Sequence, residues 1–254
     1  GKQAVRGLSV ALQAKDARLL EILASSLGRI EYPHAGPRLK ELIERKDLLE
    51  RTRNIARSAL VSCAGRNALG KSAAELYYQN ALKYYYRRES VAPDSRYDEA
   101  NVWHWRNNRL EYTPVPRAIF CDIYAMRFAR LTIAHDPEFY PAVSLWVTAA
   151  FRREADLPQG AKDPLISDKD PKALFYGRAS GPGPLQDVLS RALRDNNSAV
   201  AIKAINALVD TAGARSMSEP VAGGAQPLVQ ALGYPDRNVR FLAAVSLAEA
   251  LPQK

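Results

Sequence analysis

The chain of 254 residues contains few of the side chains that covalent cross-links and metal sites require. Its cysteines are Cys63 and Cys121, and its histidines are His34, His104 and His135. Two cysteines are too few for a disulfide framework or a four-cysteine zinc site, and we interpret them as small buried hydrophobic residues, although a single disulfide stays open. No histidine has i, i+4 spacing to another ligand, so we expect neither a metal ion nor a cofactor.

Long apolar runs are also missing. No stretch approaches the roughly 18 consecutive apolar residues that a membrane-spanning helix needs. The composition, with 47% hydrophobic and 25% charged residues, is that of a globular chain and not of a disordered tail. The chain begins at Gly1 without a secretory leader pattern, and we expect a processed or excised piece of a longer protein.

Charge is unbalanced towards the basic side, and the imbalance is local. Lysine and arginine number 36 against 27 acidic residues, a net charge of +9. Residues 1–117 contain 21 basic and 13 acidic side chains, which is +8 of that excess. Such an excess favours an acidic partner, an anionic surface or a nucleic acid. Acidic side chains alternate with basic ones after residue 40, so we expect an acidic protein partner, with nucleic acid as the alternative.

Helical periodicity dominates the chain. It predicts two short helices within residues 5–27, with Asp16 as the N-cap and Gly28 as the C-terminal stop of the second. Longer helices are predicted over 38–61, 73–88, 117–134 and 138–154. The second of these longer helices has an aromatic cluster that we expect in a core or groove: Tyr77, Tyr78, Tyr84 and Tyr85.

Two segments interrupt the helical pattern. Residues 101–115 alternate between apolar and polar side chains around a turn-like Arg106–Arg109, which predicts a β-hairpin. Residues 158–184 are rich in proline, glycine, aspartate and lysine. This second composition predicts a linker or long loop with a short helix near 172–176.

An internal repeat occupies the C-terminal part of the chain. Its six apolar positions recur after 39 residues, as Leu189, Ala192, Leu193, Val200, Ala204 and Leu208 and then as Leu228, Ala231, Leu232, Val239, Ala243 and Leu247. One helical pair cannot bury its own apolar face, so such pairs must stack on neighbours.

The second copy, Pro227–Val245, resembles a HEAT repeat. It has a helix that ends in an aliphatic residue, a turn with an aspartate, and then Val-Arg and paired alanines. Residues 3–30 resemble a weaker unit of this kind, which ends in Leu27-Gly28-Arg29-Ile30. The segment Tyr124–Phe151 is similar to a tetratricopeptide repeat at Ala129, Asp136-Pro137, Ala142 and Leu145.

The whole chain resembles large bacterial HEAT-repeat proteins, most of which are exported. The resemblance implies an all-α fold, an α-solenoid of HEAT-like and tetratricopeptide-like helical hairpins with a small β-hairpin insertion. We expect HEAT-like helices over 1–66, tetratricopeptide-like helices with the hairpin over 67–157, the linker at 158–184 and HEAT repeats over 185–254. The resemblance also implies a periplasmic location, with the cytoplasm as the alternative.

The resemblance also implies a function without catalysis. Such families are protein-binding scaffolds and share no reaction. We therefore expect a non-enzymatic interaction scaffold or assembly subunit. The alternative is a nucleic-acid-binding protein similar to HEAT-like DNA glycosylases, which hold a duplex in a basic groove.

One motif points to nucleotide binding instead. Gly65–Ser72 fits the P-loop pattern, in which backbone N–H groups and a lysine hold phosphates. A P-loop needs a buried strand before it, whereas the residues before Gly65 continue a helical stripe. Ser72 and Glu75 have the spacing of a capping box. We therefore predict a capped helix–helix loop, with phosphate binding as the lesser alternative.

The predicted partner-binding residues are aromatic and basic. Trp103 and Trp105 are two positions apart on the predicted strand, so they share one face and form an aromatic platform with Tyr112. The competing interpretation is that the tryptophans fill a gap between helical layers. Arg87 and Arg88 are expected to leave the tyrosine-rich helix towards solvent.

Overall fold

The computed structural model describes residues 2–213, 217 and 226–250. The described chain is mostly helical and contains one antiparallel sheet of two strands, which confirms the all-α class with a small β-hairpin. The chain divides into two compact units, Gly1–Pro137 and Glu138–Lys254, here called the first and the second unit. None of the described helices is long and apolar enough to cross a membrane.

The described residues of the first unit form six α-helices, two short 3-10 helices and the hairpin. In chain order its elements are α1 (Lys2–Ala11), α2 (Ala17–Ile30), α3 (Gly36–Glu44), α4 (Glu50–Ala64), α5 (Ala73–Tyr85), β1 (Glu99–Arg106), β2 (Arg109–Pro116) and α6 (Arg117–His135). Short 3-10 turns lie at Pro33–Ala35 and Arg66–Gly70. α2 and α3 pack on α4, α5 packs on α3 and α6, and the hairpin lies against α1 and α6.

Helix ends in the first unit follow local chemistry in some places and packing in others. Asp16 caps α2, and its carboxylate accepts from the N–H of Leu19 at 2.6 Å, as predicted. Gly28 does not end α2, which continues to Ile30 before Glu31 turns left-handed with φ 55°. A Cβ on Gly28 would lie 3.0 Å from the Cα of Ala59, so this glycine permits the close approach of α2 and α4.

The helix predicted over 38–61 is broken in two. α3 ends at Glu44, and α4 begins only at Glu50. Between them Arg45 is extended, with ψ 117°, and Leu48 is buried in the core of α1–α4. This break lets α4 pack back on α3, so the prediction of one helix is wrong because the apolar stripe continues through a turn.

The hairpin is slightly longer than predicted. Its register runs from Glu99 opposite Pro116 to Arg106 opposite Arg109. The two turn residues, Asn107 and Asn108, have φ of 50° and 58°. Positive φ at both positions is the signature of a type I′ turn, which matches the twist of the flanking strands and which asparagine tolerates.

The second unit is helical in its described part. Its elements are α7 (Tyr140–Ala155), α8 (Ala173–Ser180), α9 (Pro182–Arg194), α10 (Ser198–Thr211), α11 (Pro227–Ala231) and α12 (Arg237–Ala250). Residues 158–184, predicted as a linker, therefore contain α8 and the start of α9. The loop before α8 is held to α7, since Arg153 pairs with Asp163 at 2.7 Å and the carboxylate of Glu154 accepts from the N–H of Ala173 at 2.6 Å.

Equivalent positions of the 39-residue repeat have similar burial. Four pairs are fully buried in both copies: Leu189 and Leu228, Ala192 and Ala231, Val200 and Val239, and Ala204 and Ala243. α9 packs on α10, and the second pair packs on the first through α9–α11 and α10–α12. The segment with tetratricopeptide similarity is divided by the unit boundary, with α6 in the first unit and α7 in the second.

Candidate functional site

A pocket of about 290 Å³ in the first unit collects basic side chains from three elements, together with part of α1. Its cationic groups are Arg38 of α3, Arg106 of β1, and Arg127 and Arg130 of α6. Two tryptophans and one histidine of β1 also line it, Trp103, Trp105 and His104. No carboxylate is among the described residues that line this cavity, which we call the basic pocket.

Arg127 is held in the basic pocket by neutral groups. Its Nη1 donates to the carbonyl oxygen of Trp103 at 2.6 Å, and its Nη2 lies 3.3 Å from Nδ1 of His104. The guanidinium also lies 5.0 Å from the ring centroid of Tyr124, within cation–π range. Burial and the nearby charges of Arg38 and Arg130 lower the pKa of Arg127. The geometry therefore fixes a cation without supplying a counter-charge.

The contact with Arg127 determines which ring nitrogen of the neutral His104 carries the proton. A guanidinium can only donate, so Nδ1 of His104 accepts and the ring proton lies on Nε2. Burial, with the charges of Arg127 and Arg106, lowers the pKa of His104 to about 4. Its Nε2 is buried and has no hydrogen-bond partner among the described residues. His104 is thus a neutral donor close to the four arginines.

The other three arginines differ in their partners. Arg38 pairs with Glu41 through Nη1 at 2.8 Å and lies 5.7 Å from the ring centroid of Tyr77. Arg106 and Arg130 are exposed and have no ion pair within the described residues. Three of the four guanidinium groups, those of Arg106, Arg127 and Arg130, therefore have no carboxylate partner in the described chain.

The predicted aromatic residues divide between pocket wall and gap filling. Trp103 and Trp105 are half-buried and line the basic pocket, while Tyr112 is 57% exposed and lies outside it. The rings of Trp103 and Tyr112 are 5.2 Å apart on opposite strands. Trp103 also packs against α1, where a Cβ on Gly7 would lie 3.4 Å from its Cδ2, and Trp105 packs on the core of α1–α4.

The predicted basic residues Arg87 and Arg88 do not line the basic pocket. Arg87 has φ 47° and closes α5, where the N–H of Arg88 donates to the carbonyl of Lys83 at 3.0 Å in a Schellman-type end. Arg87 and Arg88 are both exposed, as predicted, but the exposed side chain of Arg87 also forms an ion pair. Its Nη2 donates to Oδ2 of the fully buried Asp122 at 3.1 Å, because the left-handed turn aims the side chain at α6.

The P-loop-like segment Gly65–Ser72 has the structure of a helix cap. It follows α4 and not a strand, and no described strand exists besides β1 and β2. The Ser72 hydroxyl accepts from the N–H of Glu75 at 3.1 Å, and the Glu75 carboxylate accepts from the N–H of Ser72 at 2.7 Å. The predicted capping box is confirmed, and the local geometry is accounted for without a bound phosphate.

A network of hydrogen-bonded polar side chains lies in the interior of the first unit. Nε of Arg6 donates to the Tyr84 hydroxyl at 2.9 Å, which leaves that hydroxyl to donate to Nδ1 of His34 at 3.0 Å. Nδ2 of Asn80 donates to the His34 carbonyl at 3.1 Å. Burial and nearby cations, first Arg6 and then Arg127, lower the pKa of His34 to about 3. This buried network ties α1 to α5 and is structural.

Three other cavities of the first unit have fewer basic side chains in their walls. One of about 320 Å³ is lined by Arg87 and Arg117 without an acidic residue, but Arg87 is paired with Asp122. A shallow groove of about 820 Å³ between α2 and α4 is lined mainly by small residues such as Ser58 and Ser62. A cavity of about 440 Å³ beside the hairpin has Asp94 and Glu99 as well as Arg6 in its wall. Among these cavities the basic pocket is therefore the one with the most basic side chains in its wall.

Known proteins and metal chemistry give no further guidance to the site. No group of three or more histidine, cysteine or acidic side chains in the described residues is arranged to hold a metal ion. Comparisons with protein-family models, curated proteins and solved structures found no match to the chain. Function must therefore be argued from the geometry and chemistry of the pocket.

Proposed function

We propose that this chain is a non-enzymatic protein-interaction module whose acidic partner docks at the basic pocket of the first unit. The observation that carries the proposal is the convergence of four guanidinium groups and two tryptophans on a cavity without a described carboxylate. Arg127 is a partly buried cation without a counter-charge among the described residues, which costs free energy, and an acidic partner group offsets that cost. Arginine and tryptophan are also the residues that dominate protein interfaces.

The distribution of charge supports a protein partner over a nucleic acid. A duplex or single strand requires cations spaced along a face, since each phosphate contributes one contact. Here four arginines converge on one pocket, and acidic side chains flank it. Glu41 lies beside Arg38, and Glu111 lies opposite His104 on the hairpin. This arrangement suits a single acidic group presented by a protein surface.

The helical pairs support an α-solenoid scaffold of HEAT-like and tetratricopeptide-like hairpins. In the second unit, matched burial at Leu189 and Leu228 and at Ala204 and Ala243 accompanies the packing of successive pairs. Small buried residues let neighbouring helices approach closely, which is how repeat proteins build a continuous core. Phe241 of α12 is 66% exposed and offers apolar surface to a further contact.

The test measures binding of a defined acidic peptide. A labelled peptide rich in aspartate and glutamate is titrated by fluorescence anisotropy at physiological salt. The double variant Arg106→Ala/Arg130→Ala removes two exposed pocket cations, and we expect it to weaken binding by about tenfold or more. The matched control Arg88→Ala/Arg109→Ala removes the same charge outside the pocket and should change the affinity less than twofold.

Two results would overturn this function. If both double variants lose affinity for the peptide equally, then net charge, and not the basic pocket, attracts the peptide. Tighter binding of duplex DNA than of the peptide, with a steep salt dependence and the same requirement for Arg106 and Arg130, would make the nucleic-acid alternative correct.

A further inference from the structure

We propose that the basic pocket is a receptor for a phosphate monoester dianion, presented by a phosphorylated side chain of the acidic partner. This inference rests on the proposed function and narrows the acidic partner to one chemical group. Three observations favour phosphate over an ordinary carboxylate: the charge of the pocket, the directions from which its arginines converge, and the way in which Arg127 is held in place.

The charge of the pocket exceeds what one carboxylate neutralises. Arg106, Arg127 and Arg130 have no carboxylate partner among the described residues, and only Arg38 is paired, with Glu41. A side-chain carboxylate supplies one negative charge, whereas a phosphorylated side chain supplies about 1.5 to 2 at neutral pH. The dianion therefore leaves less uncompensated positive charge in the cavity.

The arginines approach the cavity from different elements. Arg38 comes from α3, Arg106 from the end of β1, and Arg127 and Arg130 from successive turns of α6. A phosphate presents three acceptor oxygens in a tetrahedral arrangement, and guanidinium groups bind such oxygens in pairs. A planar carboxylate has only two oxygens and can therefore bind fewer guanidinium groups at once. The cavity of about 290 Å³ accommodates the phosphate and the carbon that carries it.

Arg127 is positioned before any ligand arrives. Its Nη1 and Nη2 are each engaged once, by the Trp103 carbonyl and His104, and the guanidinium lies over Tyr124. The remaining N–H groups of its five donors stay available. A side chain held in this way loses little rotamer entropy on binding. Arg clusters of this kind recognise phosphorylated segments in proteins.

The experiment compares three peptides that differ at one central position. Isothermal titration calorimetry measures the wild-type chain with a phosphoserine, an aspartate and a serine peptide, and with phenyl phosphate as a small probe. We expect the phosphoserine peptide to bind at least tenfold more tightly than the aspartate peptide. Arg106→Ala/Arg130→Ala should remove the difference between the phosphoserine and serine peptides, and Arg88→Ala/Arg109→Ala should preserve it.

Fluorescence provides a local readout of the same site. In a Trp146→Phe background all tryptophan emission, excited selectively over tyrosine, comes from Trp103 and Trp105, and both line the basic pocket. During a titration with phenyl phosphate, this emission should change in proportion to the fraction of sites that calorimetry shows to be occupied. Circular dichroism checks that the double variant is folded, and Arg130→Gln alone replaces it if it is not.

Each outcome separates this inference from the proposed function. If the aspartate and phosphoserine peptides bind equally and both need Arg106 and Arg130, the phosphate receptor is refuted and the acidic-partner function stands. If phenyl phosphate binds at the pocket but no peptide does, the acidic protein partner and its phosphorylated side chain are both refuted, and the pocket is a site for a small phosphate monoester. If no probe binds, or binding ignores the pocket variants, both are wrong.

Discussion

Acid should destabilise the first unit through His34, which lies in its core. The imidazole is buried, accepts from the Tyr84 hydroxyl and packs 5.3 Å from the ring of Phe128. Burial and the surrounding charges of Arg6, Arg127, Lys83 and Arg38 lower its pKa from 6.5 to about 3. The folded protein therefore keeps His34 neutral at pH values where the unfolded chain binds a proton.

The magnitude follows from linkage between protonation and folding. Because the folded pKa is lowered, the stability due to neutral His34 is complete above pH 6.5 and is lost as the pH falls from 6.5 towards 3. With these two pKa values, the free energy of unfolding falls by about 2 kcal/mol between pH 7.5 and 5, and by ~3 kcal/mol at pH 4. Carboxylates add their own acid dependence, so only a difference between variants isolates this histidine.

The variant His34→Asn keeps an acceptor near the Tyr84 hydroxyl and does not titrate in this range. It loses ring packing and should be less stable than the wild type at pH 7.5 by about 1–3 kcal/mol. Urea unfolding at pH 7.5, 6, 5 and 4, followed by Trp103 and Trp105 fluorescence in the Trp146→Phe background, reports the first unit. The stability gap to the wild type should shrink by ~3 kcal/mol at pH 4.

A stability-matched control keeps the histidine. Phe128→Leu weakens the same cluster, where Phe128 contacts His34, but should lose stability with pH as steeply as the wild type. If His34→Asn and Phe128→Leu show the same decline between pH 7.5 and 4, the protonation of His34 does not control acid stability, and the reasoning from its burial is wrong.

Two further predictions concern single backbone positions. Gly177→Ala places a Cβ 2.5 Å from Cζ of the buried Phe151 and should lower the free energy of unfolding in urea by about 1–3 kcal/mol. The Cβ of Gly183→Ala has nothing within 4 Å, so this control should not destabilise the protein. Similar free energies of unfolding for the two variants would contradict the packing argument. Ser72→Ala removes the capping box of α5 and should lower the free energy of unfolding by about 1 kcal/mol, whereas Ser72→Thr should retain most of that stability. If Ser72→Ala leaves the free energy of unfolding unchanged, the capping box does not stabilise this loop.

Much of the local structure could be predicted because its causes are local. The Asp16 cap and the Ser72–Glu75 capping box are hydrogen bonds between residues three positions apart, and the hairpin is indicated by alternation around a turn. The apolar period of the helices needs only their own residues. The two predictions that were wrong, at Gly28 and at the helix break after Glu44, depended on what another helix places next to them.

The candidate site could be predicted only in part. The i, i+2 spacing of Trp103 and Trp105 identified a shared strand face, and both line the basic pocket. The arginines were missed, because most of them lie in separate elements far apart in the chain. The single local signal was the i, i+3 spacing of Arg127 and Arg130, which places both on one face of α6.

Composition established a net charge of +8 for residues 1–117, which stays +8 through residue 137 because Asp122 and Asp136 balance Arg127 and Arg130. Pattern established a helical chain with one hairpin. Spacing accounts for ion pairs within one element, such as that of Arg38 with Glu41 at i, i+3, but not for pairs between elements. The tertiary structure pairs Arg87 with Asp122, and it leaves Arg106, Arg127 and Arg130 together without a described carboxylate. Electrostatic energy depends on distances and burial, which the packing of α3, β1 and α6 sets.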